Sequence, residues 1–131
     1  MSAAYLNGEI KPLSETRVSV MDRGFLFGDG IYEVIPVYSR RPFRIEEHLD
    51  RLAASLEGIR LQNPHSRSEW ISIIERVIAA SESADQQVCI QVTRGEMAVR
   101  NHAFPATVVP TVLVFSEPLT PPAAALRTQG V

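Results

Sequence analysis

Two neighbouring amphipathic segments, flanked on both sides by short segments of strand character, restrict this chain to an α+β fold. In the first, apolar residues recur at helical spacing and predict a helix from about Ile45 to Ile59. In the second, Ser66 and Glu69 form a capping-box pattern before an apolar stripe, and the helix is expected to end near Ser81. Because strands precede and follow both helices, we expect a mostly antiparallel sheet with two amphipathic helices.

The predicted strands are short and are bounded by turn residues. Asn-Gly between apolar flanks indicates a hairpin over residues 5–10. Three glycines precede a β-branched and aromatic strand predicted for residues 31–38, and Pro36 inside it is typical of an edge strand or a bulge. Further strands are predicted at residues 17–21, 88–94 and 107–115, the last apolar enough to be covered on both faces, with a polar loop at residues 95–105.

Charge and composition argue against several classes of protein. Thirteen basic and fifteen acidic residues give a net charge of -2, which provides no excess for binding nucleic acid or an anionic membrane. No apolar segment is long enough to span a bilayer and no signal-peptide pattern is present, so a soluble, cytoplasmic protein is expected. The single cysteine, Cys89, agrees with a reducing compartment, and no pair of histidines or carboxylates has convincing metal-ligand spacing.

The glycine cluster at residues 28–30 does not match a dinucleotide-binding loop. Such a loop follows a strand and opens a helix, whereas here a strand follows, so a tight turn with positive φ is the better interpretation. Tyr32 lies at the start of that strand. Its hydroxyl could donate a hydrogen bond to a ligand oxygen, or the side chain could simply pack with the hydroxyl at the surface.

Two groups of side chains could bind an anion. In the first predicted helix, Arg51 belongs to a stripe of donors along one border of the apolar face, which suits a phosphate or a carboxylate. Local salt bridging is the alternative, because Glu47 and Arg51 are four residues apart. In the polar loop, Arg100 and His102 project to one side of an extended segment and could bind one carboxylate, or both could be solvated. The donor stripe comprises Arg44, His48, Arg51 and Ser55, and the acidic face comprises Glu46, Glu47, Asp50 and Glu57.

Three motifs occur in order along the chain: DRGFLFGDGIYEV at residues 22–34, EHLDRL at residues 47–52, and QVTRG at residues 91–95 leading to Arg100-Asn101-His102. Taken together at these spacings, they resemble the class IV aminotransferases, which are the fold type IV pyridoxal-phosphate enzymes. This family includes D-amino-acid and branched-chain aminotransferases and aminodeoxychorismate lyase, and the third motif looks most like the D-amino-acid branch. The resemblance covers nearly the whole chain and implies the small N-terminal α+β domain of these enzymes.

Carried over by position, the resemblance implies roles for four residues. Arg51 would bind the phosphate of pyridoxal 5'-phosphate. Tyr32 would line the substrate pocket and help to bind the α-carboxylate. Arg100 and His102 would clamp the same carboxylate, reaching into the neighbouring site of a homodimer. The implied reaction transfers the amino group of a D-amino acid such as D-alanine to a 2-oxo acid.

The resemblance also implies a second domain, because the Schiff-base lysine of these enzymes and the acidic partner of the pyridine nitrogen lie outside the small domain. Lys11, the one lysine of the chain, matches no such position. Residues 1–117 are therefore expected to form the small domain and residues 118–131 the start of an interdomain linker. With no catalytic residue of its own, the chain alone is expected to be inactive.

Two alternatives to the D-amino-acid reaction stay open. The first keeps the fold and changes the substrate, as in a branched-chain aminotransferase or aminodeoxychorismate lyase. The second belongs to another class and treats the chain as a non-catalytic module for ligand binding or dimerisation.

Overall fold

The computed structural model describes residues 2–130 and shows an α+β fold built on one six-stranded sheet. The sheet order is β2-β1-β6-β5-β3-β4, and every neighbouring pair is antiparallel. The strands are β1 (Ala3–Leu6), β2 (Glu9–Pro12), β3 (Gly30–Tyr38), β4 (Arg41–Pro42), β5 (Gln86–Thr93) and β6 (Thr111–Pro118). The helices are α1 (Arg23–Phe27), α2 (Ile45–Gly58), α3 (Arg67–Ala79) and α4 (Ala124–Gln129), with a short 3-10 helix at Leu13–Glu15.

The two predicted amphipathic helices are confirmed as α2 and α3. The first ends at Gly58, one residue before the predicted end, and the second ends at Ala79. The predicted cap of α3 is present, because the Ser66 hydroxyl accepts a hydrogen bond from the backbone N–H of Glu69 at 3.3 Å. Local signals of period and capping were sufficient to predict both elements.

The core lies between these helices and one face of the sheet. Within the apolar stripe of α3, Ile71 is only half-buried, whereas Ile73 is buried. The buried apolar side chains include Leu49, Leu52 and Leu56 from α2, Trp70, Ile74, Val77 and Ile78 from α3, and Ile35, Val37, Val88, Ile90, Val92, Val112 and Val114 from the sheet.

Strand β3 lies beside the very short strand β4, so most of its length has a free edge. It pairs with β5 from Gly30 to Val37 in continuous register, without a bulge, whereas β4 reaches only Val37 and Tyr38. The carbonyl of Pro36 accepts a hydrogen bond from Phe43 on the β4 side. The ring nitrogen of Pro36 therefore also faces away from β5, and the proline removes no ladder bond, as at an edge position.

The strand predicted at residues 17–21 is wrong. This segment is irregular and ends in a turn, in which the Ser19 carbonyl accepts a hydrogen bond from the N–H of Asp22 at 3.0 Å. Val18 and Val20 are exposed. Alternation of apolar and polar residues was misleading here because an extended surface segment shows the same period as a strand.

Strand β6 also differs from its prediction. It begins at Thr111, four residues later than expected, and it is not covered on both faces. Val112 and Val114 are buried beneath the helices, whereas Leu113 and Phe115 on the opposite face are half-buried. After β6 the chain continues to α4, which buries none of its side chains. Within residues 2–130, no helix combines the length and the apolar character that a membrane crossing requires.

Candidate anion-binding site

The first motif builds helix α1, which the sequence analysis missed. Asp22 is its N-cap, and Oδ1 accepts hydrogen bonds from the backbone N–H of Gly24 at 2.8 Å and from the Thr93 hydroxyl at 2.7 Å. Oδ2 accepts from the Thr111 hydroxyl at 2.6 Å, so one carboxylate joins α1 to the end of β5 and the start of β6. Gly28 ends the helix with a φ of 65°. An aspartate before the helix and a glycine after it are recognisable signals, but five residues are too few to show a period.

Strand β3 presents its functional candidates on opposite faces. Tyr32 lies on the face away from the helices and is 73% exposed, whereas Glu33 faces the helices and is buried. Tyr32 and Val34 have the same parity as Pro36, so their backbone N–H and C=O groups point to the free edge of β3. A ligand lying along this edge could therefore contact both faces of the strand.

Glu33 binds two donors from α2. The Nε of Arg51 donates to Oε2 at 2.9 Å and to Oε1 at 3.1 Å, and its Nη2 also donates to Oε1. The Nδ1 of His48 lies 2.8 Å from Oε1 and serves as the second donor, because an ionised carboxylate only accepts. A buried acid thus orients a guanidinium that is largely exposed.

Electrostatics keep this pair ionised. Burial by itself raises the pKa of Glu33, but the hydrogen bonds and charges of Arg51 and His48 outweigh it and hold the pKa below its ordinary value. The hydrogen bond with Glu33 in turn raises the pKa of Arg51, to which the nearby Tyr32 contributes more weakly. The positive charge at Arg51 is therefore permanent.

An open pocket of about 360 Å³ lies over this pair and is lined by Arg44, Glu47, His48 and Arg51. Local salt bridging of Arg51, the alternative to a ligand-binding role, takes another form: Arg51 pairs with Glu33, while Glu47 accepts hydrogen bonds from Arg44 at 3.1 and 3.2 Å. Among residues 2–130, no group accepts a hydrogen bond from Nη1 of Arg51. Donors of Arg51 thus stay free to bind an anion in the pocket.

Arg100 and His102 lie elsewhere, around Phe27 at the end of α1. The His102 ring stacks on the Phe27 ring at 4.7 Å between centroids and 30° between planes. The guanidinium of Arg100 lies 5.0 Å from the centroid of the same ring. The two side chains therefore contact the same ring, and in the described part of the chain they form no hydrogen bond or ion pair with Tyr32 or Arg51.

A buried charged network beneath that loop was not foreseen. Arg23 and Arg94, both buried, donate from Nε to the same Oδ2 of Asp29, each at 2.8 Å. Burial alone raises the pKa of Asp29, but the hydrogen bonds from the two arginines outweigh it and hold the pKa below the ordinary range. These arginines are far apart in sequence, and no local pattern marks them as partners.

The remaining polar candidates carry no site. Lys11 lies on the edge strand β2, at the opposite end of the sheet from β3, and its Nζ is 3.4 Å from a carboxylate oxygen of Glu9. In the part of the chain that the structure describes, no cluster of histidine, cysteine, aspartate or glutamate could hold a metal ion.

Known proteins match both the sequence and the fold. The family of class IV aminotransferases matches residues 30–129. D-alanine aminotransferase of Staphylococcus epidermidis is 36% identical over 132 residues, which cover 100% of this chain and 46% of that protein. The chain thus spans about half the length of the curated relative it matches.

Two solved structures share the fold. The 4-amino-4-deoxychorismate lyase of Pseudomonas aeruginosa has a TM-score of 0.78 and 28% identity, covering 98% of this chain and 44% of that chain. The branched-chain amino acid aminotransferase of Escherichia coli has a TM-score of 0.82 and 23% identity, covering 89% of this chain and 40% of that chain. Together with the family match, these likenesses show that the chain belongs to the class IV aminotransferases and has the fold type IV architecture that its motifs predicted.

Proposed function

We propose that this chain is the small domain of a pyridoxal-phosphate aminotransferase that transfers the amino group of a D-amino acid, such as D-alanine, to a 2-oxo acid. Class IV aminotransferases use this cofactor, and the D-amino-acid substrate is supported by the D-alanine aminotransferase that matches the whole chain. The observation that carries the proposal is the guanidinium of Arg51. The buried Glu33 holds it in place, and its remaining donors are free to bind a ligand in the open pocket.

The donor set fits the phosphate of the cofactor. Arginine presents a planar fork to phosphate oxygens, and the ion pair with Glu33 fixes the orientation of that fork in advance. Arg44 and His48 line the same pocket and place further donors near Arg51. We therefore assign the phosphate to Arg51, as the resemblance of EHLDRL implied.

The free edge of β3 supports a substrate site next to the cofactor. The hydroxyl of Tyr32 is exposed on one face of the strand, and Arg51 lies on the other face, beside Glu33. An α-carboxylate at the Tyr32 side of this edge would lie close to a cofactor whose phosphate binds Arg51. Orienting the reacting groups in this way supplies a large share of the rate in many enzymes.

Arg100 and His102 complete the carboxylate site across a homodimer in this proposal. In the single chain both lie around Phe27, and among residues 2–130 the hydrogen bonds of Arg51 go to Glu33 and not to either of them. Both are exposed, so they are accessible to a second copy. A two-fold arrangement in which each loop reaches the other site would bring together all four predicted residues.

The lysine that holds the cofactor is expected outside this chain. Lys11 pairs with Glu9 on β2, far from the pocket over Arg51. When bound, pyridoxal phosphate withdraws electrons from the substrate, and the residues described above bind and orient its charged groups. We assign residues 1–117 to the small domain and residues 118–131 to a linker, and we place the enzyme in the cytoplasm.

Removing the two loop side chains tests the proposal. In the enzyme that contains this chain, Arg100→Ala with His102→Ala should lower kcat/KM for D-alanine about 100-fold or more, because two charge-assisted hydrogen bonds are lost. Arg67→Ala is the control, since Arg67 pairs with Glu46 and Asp50 on the surface.

Other outcomes identify the alternatives. A small effect on D-alanine turnover, with activity toward branched-chain amino acids or aminodeoxychorismate, would favour those enzymes of the same fold. No turnover of any of these substrates, and no absorption band of lysine-bound cofactor in the enzyme, would favour a non-catalytic module.

A further inference from the structure

The loop between β5 and β6 is long and carries both Arg100 and His102. Its first residues are tied to the α1 region by backbone hydrogen bonds, of which the last joins the N–H of Met97 to the carbonyl of Met21. From residue 98 to residue 110, no backbone–backbone hydrogen bond is found within the described chain. Side chains on such a loop keep a defined position only if other groups fix the backbone.

Arg23 fixes it. Its Nη1 donates to the carbonyls of Asn101 at 2.6 Å and Ala103 at 3.2 Å, and its Nη2 donates to the carbonyl of His102 at 3.0 Å. One guanidinium thus binds three successive carbonyls, using the rigid fork that lysine lacks. Contacts to carbonyls hold the backbone whatever side chains it carries.

Arg23 is itself immobilised. Its side chain is 3% exposed, and its Nε donates to Oδ2 of Asp29. Arg94 donates to the same oxygen, and its Nη2 donates to the carbonyl of Ile59 at 2.6 Å. A cation is buried only at a high cost unless it is paired, and here the pairing leaves Arg23 one orientation.

Helix α1 brings the anchor and the loop side chains together. Phe27 follows Arg23 by one helical turn, and its ring contacts His102 on the loop as well as the guanidinium of Arg100. The backbone of residues 101–103 is bound by Arg23 at the start of α1, while the side chains of Arg100 and His102 contact Phe27 at the end of the same helix. Their mutual position therefore depends on Arg23.

We propose that Arg23 is a positioning residue that orients Arg100 and His102 toward a common carboxylate by binding the carbonyls of residues 101–103. The identity of that carboxylate, the α-carboxylate of the substrate, rests on the proposed function. The orientation of the two side chains does not, so the two ideas can fail separately.

Arg23→Lys tests the positioning in the 131-residue chain, because lysine keeps the charge but cannot bind three carbonyls and Asp29 together. Arg40→Lys is the matched control: Arg40 also donates to several carbonyls, including those of Ile78 and Ser81 at 3.1 Å, but remote from this loop. NMR shifts of the His102 ring protons report its stacking on Phe27.

In Arg23→Lys we expect the His102 ring shifts to move toward those of a solvated histidine, and the amide of Ala103, which donates to Oδ1 of Asn101 at 3.0 Å, to exchange about ten-fold faster. Arg40→Lys should change neither. Unchanged His102 shifts in a folded Arg23→Lys chain would overturn the proposal. If that variant does not fold, the wild type decides: slow solvent exchange of the Arg23 guanidinium protons supports the anchor, and fast exchange overturns it.

Kinetics separate positioning from general stability. In the enzyme, Arg23→Lys should raise KM for D-alanine about ten-fold, with kcat and cofactor affinity changed less than about three-fold. Comparable impairment of KM, kcat and cofactor affinity would overturn the positioning role. If the wild type does not transaminate D-alanine, the proposed function fails, and the His102 shifts still decide the role of Arg23.

Discussion

Glu33 on β3 and Arg51 on α2 are joined by hydrogen bonds of 2.9 and 3.1 Å from Nε, although their side chains are 2% and 67% exposed. The carboxylate is buried and the guanidinium is accessible, which is the arrangement expected where one side chain holds another in place for a ligand. His48 supports the acid from the same helix at 2.8 Å. The guanidinium is thus oriented before an anion arrives, so less conformational freedom is lost on binding.

Glu33→Gln should weaken the binding of inorganic phosphate or pyridoxal phosphate by about ten-fold. Two effects oppose each other. Loss of a negative charge near an exposed arginine favours the anion by about 1 kcal/mol in water, whereas hydrogen bonds to charged groups contribute about 1.5–3 kcal/mol each. The loss of the hydrogen bonds that orient Arg51 should therefore outweigh the gain from removing the negative charge. Titration calorimetry would measure the resulting affinity for phosphate.

The control for this experiment is Glu46→Gln, because Glu46 is an exposed acid on the same helix that pairs with Arg67. It should leave phosphate affinity within about two-fold of the wild type. Tighter phosphate binding by Glu33→Gln would show that charge, and not orientation, dominates at Arg51.

Arg51→Lys should also weaken phosphate binding, by about ten- to 100-fold, because an ammonium group cannot bind the carboxylate and present a fork to phosphate at once. The fold should persist, since lysine can still neutralise Glu33. Arg67→Lys, on the surface of α3, is the control and should bind phosphate normally. Phosphate affinity equal to that of the wild type in Arg51→Lys would place the anion elsewhere.

Helices α2 and α3 could be predicted because their signals are local. Ser66 and Glu69 lie within one turn, and the apolar stripe of α3 repeats inside thirteen residues. Strands carry less information, since the alternation that marks β5 also occurs at residues 17–21, where no partner strand is present among the described residues. Pairing is a long-range property, and the period alone does not reveal it.

The same contrast between local and long-range signals applies to the candidate site. The role of Arg51 as a donor beside the apolar face could be predicted from helical spacing, but its partner Glu33 comes from a different element eighteen positions away. One signal was available: Glu33 shares the parity of Ile35 and Val37 on the buried face, where an acid requires a partner. The bonds from Arg23 to residues 101–103 had no counterpart in any local pattern.

Acid should destabilise the domain through two carboxyl groups. The pKa values of Glu33 and Asp29 lie below their ordinary values of 4.5 and 3.8, because hydrogen bonds from arginine outweigh burial. A carboxyl with a lower pKa in the folded chain stabilises it above the unfolded pKa and loses this contribution as pH falls through the folded pKa.

The free energy of unfolding should therefore vary little between about pH 7 and 5 and fall below about pH 4.5. Urea denaturation at each pH measures it. In Glu33→Gln the decline should begin at lower pH, where Asp29 titrates. A wild-type plateau that continues to about pH 3 would contradict the coupling of these acids to arginine.

Gly95→Ala should destabilise the chain by about 3 kcal/mol, because backbone strain and a steric clash combine. Gly95 has a φ of 96°, and an added Cβ would lie 2.0 Å from the carbonyl oxygen of Val109. That neighbour is backbone and cannot rotate away, so the two ends of the loop between β5 and β6 would be forced apart. Gly58→Ala is the control, since a Cβ there meets nothing within 4 Å and helix α2 should gain about 0.5–1 kcal/mol. Urea midpoints compare the two variants, and equal stability would mean that Gly95 does not hold the loop closed.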